Sequence, residues 1–288
     1  MARCGLFALG ILTLVASTPE YRSSTEAWRR DYEAGLRAPS GWLSVAGLFW
    51  FHEGANRAGS DPQSDIVLPA SAPRFAANFE FHAGATRLHP AAGTGILVNG
   101  KPPSNQPLQP DTTDHPDVVT LGSLSMTVIQ RGPRTGLRLR DPESAARRGF
   151  SGLHWYPIDE HYRVRARWHA YNPPHKIAIT NVLGMTEEEA TPGFAEFELG
   201  GKTWRLEPTL EDGTLFFTFK DQTAATETYP SGRFLNTEMP NNGEVIIDFN
   251  KAHNPPCAFT SFATCPLPPR QNHLALAIPA GEKRYGRH

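Results

Sequence analysis

Between Ser23 and Leu36 the apolar residues Trp28, Tyr32 and Leu36 recur every four positions, with polar residues filling the gaps. That spacing draws a single stripe along an α-helix. Ser23 and Glu26 read as a capping box at its start and Gly35 to Pro39 as its stop, which places the helix within residues 20–40. A Trp/Tyr/Leu stripe of this kind docks on a core. From Gly41 onward the period falls to two. Leu124, Met126 and Val128 alternate with Ser123, Ser125 and Thr127, and Leu137 and Leu139 alternate with Arg138 and Arg140. Alternation on both sides of the turn-rich Arg131 to Gly136 predicts a hairpin. Asn99-Gly100, between Ile96-Leu-Val98 and Lys101-Pro-Pro, predicts a type I′ turn. Later strands are expected over Tyr162 to His169, Lys176 to Val182, Phe194 to Leu199, Thr203 to Leu210, Thr214 to Phe219 and Glu244 to Phe249.

These elements predict an all-β protein with one N-terminal helix. The softer stretch Asp141 to Gly149 reads as a connection between two halves, a β-sandwich over residues 41–145 and a second β-rich half over residues 146–288. Five prolines between Asn254 and Pro269 demand irregular backbone there. Composition agrees, since 25 glycines and 26 prolines in 288 residues supply many turns without a repeat. Twenty-eight basic against 29 acidic residues leave a net charge of −1, so no overall field recruits nucleic acid or anionic lipid. No stretch approaches the roughly 18 apolar residues of a membrane span. At the start, Arg3, the apolar run Gly5 to Val15 and the small residues after it read as a signal peptide over residues 1–17. Export to a periplasm or the exterior is therefore expected, with a cytoplasmic protein as the alternative.

In the first half Asn56-Arg57 leads to Ser64-Asp65-Ile66, then to Asn99-Gly100 and to Thr120-Leu-Gly122. This order of turns resembles the forkhead-associated β-sandwich. In that family a loop arginine holds phosphothreonine. Here Ser60 stands where it would be, so the guanidinium fork is missing and phosphopeptide recognition is disfavoured. A longer set of motifs spans nearly everything after residues 1–17: Gly41-Trp-Leu-Ser44, Ala46-Gly-Leu-Phe-Trp50, Thr228-Tyr229, Gly232-Arg-Phe-Leu235, Asp248-Phe-Asn250, Asn254-Pro-Pro-Cys-Ala-Phe-Thr260, Thr264-Cys-Pro-Leu-Pro-Pro269, Asn272 and Gly281-Glu-Lys283. These resemble a bacterial and archaeal family known only as a domain of unknown function, and the resemblance implies no activity.

The densest polar cluster closes the chain. Asp221, Thr223, Tyr229, Arg233, Asp248, Asn250 and Asn254 would converge at one mouth if the strands ending at Phe219 and Phe249 lay side by side in parallel. A cation, a phenol and two carboxylates suit a small polar ligand. The first expectation is thus a binding protein using those seven residues. A hydrolase or lyase with Asp221 or Asp248 as base and Arg233 holding an anion is the second. The third is a protein-interaction module built on the first sandwich. Against the ligand readings, Asp221 and Asp248 could equally pair Arg233 or cap the proline-rich turns.

Cys257 and Cys265 are the cysteines left once residues 1–17 are removed. In an oxidising compartment they read as a disulfide, with free thiols or a metal site completed by His253 and His273 as alternatives. Arg163, Arg165 and Arg167 share one strand face, and with Arg138 and Arg140 they offer either an anion-binding surface or a solvated one. Gly201-Lys202-Thr203 and Asp61-x-Gln63-x-Asp65 lack the residues that a phosphate loop or a calcium loop requires. No Ser/His/Asp spacing, cofactor motif or metal set emerges, so no cofactor is expected, and the oligomeric state is left open.

Overall fold

Thr18, rather than Ser23, starts the helix. In the computed structural model, which describes residues 18–286, α1 spans Pro19–Arg37. The expected signal peptide lies outside the described residues. The hydroxyl of Thr18 accepts the Tyr21 N–H at 3.4 Å, and Pro19, with no N–H to satisfy, occupies the first turn. Ser23 and Glu26 therefore sit within the helix. The expected stripe is in place: Trp28 stacks on Tyr32 with centroids 5.5 Å apart, and Leu36 is buried. Polar ties reinforce it. The Tyr21 hydroxyl donates to Asp248 at 2.8 Å, and Arg29 donates to the carbonyls of Tyr156 and Asn250.

Nine strands build the first half: β1 (Val45–Trp50), β2 (Gly54–Gly59), β3 (Ile66–Val67), β4 (Ala77–His82), β5 (Ala85–Pro90), β6 (Leu97–Val98), β7 (Val118–Leu121), β8 (Leu124–Arg131) and β9 (Arg134–Arg140). One sheet runs β1-β9-β8-β7-β6 and the other β3-β2-β4-β5. Phe79, Leu88 and Ile66 from the second sheet share one core with Met126, Val128, Leu137 and Leu139 from the first, so the two stack as a sandwich. The hairpin between β8 and β9 pairs as the alternation predicts. Asn99 and Gly100 both adopt positive φ, 50° and 76°, as a type I′ turn requires.

A short helix α2 (Ala145–Arg148) lies in the connection. The second half holds β10 (Arg163–Thr180), β11 (Thr186–Leu199), β12 (Lys202–Leu206), β13 (Thr209–Glu211), β14 (Thr214–Phe219), β15 (Arg233–Thr237) and β16 (Glu244–Asp248). Its sheets, β12-β11-β10-β16 and β13-β14-β15, bury Ala166, Phe197, Phe217, Leu235 and Ile247 against each other, and Leu274, Ile278 and Ala280 of the closing segment complete that core.

Three expectations change here. The strands foreseen around Ala166 and Ile179 are one long β10, continuing past a register shift at Ala170/His175 where Asn172–Pro173 is cis. Its partner β11 starts at Thr186, so the glutamate-rich stretch before Phe194 is strand as well. Most consequentially, β14 and β16 belong to different sheets and each pairs antiparallel, with β15 and β10 respectively. The parallel neighbourhood that would have gathered the polar cluster does not form. Beyond the register shift, β10 and β11 form an arm over residues 175–191. Val182 donates to the Cys265 carbonyl at 2.9 Å and Leu267 to the Thr180 carbonyl at 2.8 Å, tying the arm to the proline-rich segment.

Candidate functional site

The seven residues singled out in the sequence fall into three places. Arg233, 1% exposed, donates to Asp221 Oδ1 and to the Ile278 carbonyl, both at 3.1 Å, and also to the Ala280 carbonyl. Asp221 is filled further by Thr223 Oγ1 at 2.9 Å and the Ile278 N–H at 2.7 Å. These bonds clamp the closing segment onto β14 and β15. Asp248 and Asn250 meet elsewhere, under α1. Asp248 accepts from Tyr21 and from the Asn250 N–H, while Asn250 exchanges bonds with the backbone of Asp159 at 2.8 and 3.0 Å. Tyr229 donates to the Cys257 carbonyl at 3.1 Å, and Asn254 donates through its backbone N–H and Nδ2 to Glu282 at 2.8 and 2.7 Å.

Asp221 borders a surface pocket of about 590 Å³ with Lys220 and Arg284, and Asn254 lines a separate cavity of about 540 Å³ between the two halves. Leu137 and Leu139 point into the first sandwich, so Arg138 between them points out of it, toward the second half. There it lines the cavity beside Trp42, whose ring lies 5.1 Å from its guanidinium carbon. Only 6% of Arg138 is exposed, and its Nε and Nη2 have no hydrogen-bond partner. Burial and the charge of nearby Arg131 lower its pKa to about 10, so it remains a cation at neutral pH. Arg131 is itself engaged, forked onto Asp111 at 2.8 and 3.1 Å with Nε on Thr264. Arg140, on the same face of β9, has an unpartnered Nε as well. This wall therefore holds more positive charge than its own carboxylate balances.

Around Arg138 the lining is aromatic. Tyr32 packs on His253 with centroids 4.7 Å apart, and Phe234 meets that ring edge to face. His253 Nδ1 sits 3.2 Å from the Lys251 carbonyl and so carries the proton, which leaves Nε2 as the acceptor. Burial lowers this histidine to about 4, and it is neutral at pH 7. Asn254 Oδ1 is a buried acceptor without a partner in the same lining. Cys265 is also there. Both cysteines are free thiols, with the Cys257 N–H donating to Cys265 Sγ at 3.1 Å. Their mutual hydrogen bond lowers the Cys257 thiol and, with burial, raises that of Cys265. Among the described residues no group of three or more His, Cys, Asp or Glu side chains gathers around a metal position; His273 instead faces the Pro268 carbonyl.

Arg163, Arg165 and Arg167 lie on the solvated face of β10, where Arg165 pairs Glu244 at 2.7 Å. Ser60, at the position a phosphate-binding arginine would take, donates to the Ala72 carbonyl. Sequence reasoning placed Arg138 on a strand face but could not see what covers it, because the cover comes from residues far away on both sides, Trp42 96 positions earlier and His253 and Cys265 more than a hundred later.

Residues 148–283 match the family model described as "Protein of unknown function (DUF1684)". The chain is also similar to an uncharacterized protein of Haloarcula marismortui solved by solution NMR. The two are 31% identical over 48% of this chain and 78% of that one, with a TM-score of 0.41. No curated protein matches. The family match spans the wall of the cavity that carries His253, Asn254 and Cys265, while Tyr32, Trp42 and Arg138 precede it.

Proposed function

Because the chain belongs to the DUF1684 family of proteins of unknown function, its chemistry has to be read from its own side chains, and we propose that it binds a small organic anion in the cleft between its two halves. One observation carries this reading: Arg138 is buried, charged and short of hydrogen-bond acceptors on the lining of a 540 Å³ cavity. Two unsatisfied donors on a buried cation cost on the order of 1–3 kcal/mol each. The Trp42 ring returns about 1 kcal/mol of that. Both nitrogens are covered by their neighbours, so a carboxylate or phosphate would supply the missing acceptors by parting the side chains packed over the guanidinium, and the aromatic lining would take an apolar body.

The test is thermal melting with 3-phenylpropionate and with inorganic phosphate. At least one anion is expected to raise the melting temperature of the wild type and to leave Arg138→Met unmoved. Without ligand, Arg138→Met should melt no lower than the wild type, since it removes an uncompensated buried charge. A variant that is destabilised by about 2 kcal/mol or more, yet still shifts with anion, overturns the reading.

A hydrolase or lyase using Asp221 or Asp248 has less support, since both carboxylates already accept from protein donors. Among the described residues of the first half, Val67 and Val118 are the exposed large apolar side chains, which gives an interaction module little surface. Export remains part of the proposal. An N-terminus beginning near residue 18 is expected on the mature protein, and an intact Met1 in the folded product would count against it.

A further inference from the structure

The cavity has a second charged end. Glu187 and Glu189, two apart on β11, and Glu211 on β13 all line it. Burial and then the neighbouring carboxylates raise Glu189, and Thr209 and Asn236 supply neutral hydrogen bonds to Glu189 and Glu211. Among the described residues no ion pair reaches any of these three, whereas the adjacent Glu188, on the other face of β11, pairs Lys176. Glu189 is partly buried while Glu187 and Glu211 stand exposed at the mouth, and three like charges gathered there repel one another and favour a cation. The buried, unpartnered Arg138 faces the same space.

The two ends are well separated. Glu187 reaches the turn between β8 and β9, where a side chain on Gly132 would meet its Oε1 at 3.4 Å. Arg138 stands four residues along β9 from Arg134, which begins the strand after that turn, about 13 Å at the usual rise per residue. The same lining includes Ile177 and Ile179, which face Glu189 and Glu187 across the ladder, and Phe216 and Phe234, which pack edge to face. The occupant that satisfies all three regions carries its anion at one end, its cation at the other, and apolar groups between.

We infer that the ligand is a zwitterion whose charges are held apart by an apolar body, the simplest case being a peptide of two or three apolar residues. Its carboxylate sits on Arg138 and its ammonium among Glu187, Glu189 and Glu211. The inference rests on the anion reading above and adds the class of molecule. A peptide of three residues spans about 10 Å, which the side chains of Arg138 and Glu189 extend to meet.

Titration calorimetry with three matched probes tests it: Leu-Leu-Phe, its N-acetyl form and its C-terminal amide. The free tripeptide is expected to bind about tenfold or more tightly than either blocked form. Glu189→Gln, at a partly exposed position that leaves folding intact, should weaken the tripeptide and the amide and spare the N-acetyl form. Arg138→Gln should weaken the tripeptide and the N-acetyl form and spare the amide. If the N-acetyl form binds as well as the free tripeptide, or Glu189→Gln changes nothing, the zwitterion is overturned while the anion site stands. If the amide binds and Arg138→Gln has no effect on any probe, the anion site itself falls. No binding of any probe at about 10 mM, with 3-phenylpropionate still raising the melting temperature, overturns the zwitterion alone.

Discussion

Arg138 and Arg233 are both buried arginines, and their surroundings assign them opposite roles. Arg233 has a carboxylate and two carbonyls within reach, so removing it strands Asp221 in the core. Arg233→Ala should destabilise the protein by about 3–5 kcal/mol in urea denaturation, the usual cost of breaking a buried pair. A loss under about 1 kcal/mol would refute its clamping role. His253 and Glu282 give the fold a pH signature. Burial holds His253 near 4, below its ordinary 6.5, so the unfolded chain takes up a proton that the folded one refuses. Its contribution is complete above pH 6.5 and disappears as pH falls toward 4; because the ring keeps some exposure to the cavity, about 2 kcal/mol is expected. Glu282 slopes the other way. Burial raises it to about 8, so its contribution is present below its ordinary 4.5 and is lost as pH rises through 8. Between pH 4.5 and 6.5 the two oppose each other. His253→Phe should therefore leave stability falling steadily from pH 4.5 to 8 in denaturant titrations, and a flat profile would contradict the assignment. The residue types were plain in the sequence, but their partners were not: Asp221 meets Ile278, and Asn254 meets Glu282, only through the fold.

At the scale of elements, period and turn chemistry carried much of the reading. Leu137 and Leu139 announced β9, Asn99-Gly100 announced its turn, and the Trp28/Tyr32/Leu36 stripe announced α1. Where local preference and pairing disagree, pairing prevails. Glu187 to Glu189 favour strand weakly, yet they complete β11 because β10 offers them a ladder. The start of α1 was misplaced because Thr18 and Pro19 make a competent start that a capping box four residues later obscures. The proline-rich segment brings Cys257 and Cys265 together as free thiols, close enough for one backbone N–H to reach the other sulfur. Oxidation should join them without rearranging their neighbours and stabilise the protein by about 2–3 kcal/mol through closure of this short loop. Peptide mass mapping after alkylation checks this: Cys257 and Cys265 both labelled in reduced protein and neither in air-oxidised protein, with both labelled in each refuting the disulfide.

For the whole molecule, the all-β class with one N-terminal helix was legible, since alternation and turns depend on near neighbours. The cavity was not. It lies between the outer face of the sheet carrying β9 and an arm formed by β10 and β11, and no local pattern reports which faces will meet. The polar cluster illustrates the difference. Its residues sat close in the sequence and scattered in space, whereas Tyr32, Arg138 and His253 are far apart in the sequence and gather around one volume.

The closing segment sets the order in which the chain can be finished. Leu274, Ile278 and Ala280 complete the second core, and the carbonyls of Ile278 and Ala280 receive Arg233. During synthesis the second core thus stays open until residues 274–280 have emerged from the ribosome. The first sandwich ends at Arg140 and needs no such delay. A chain built this way closes its two cores in succession, the first well before the second.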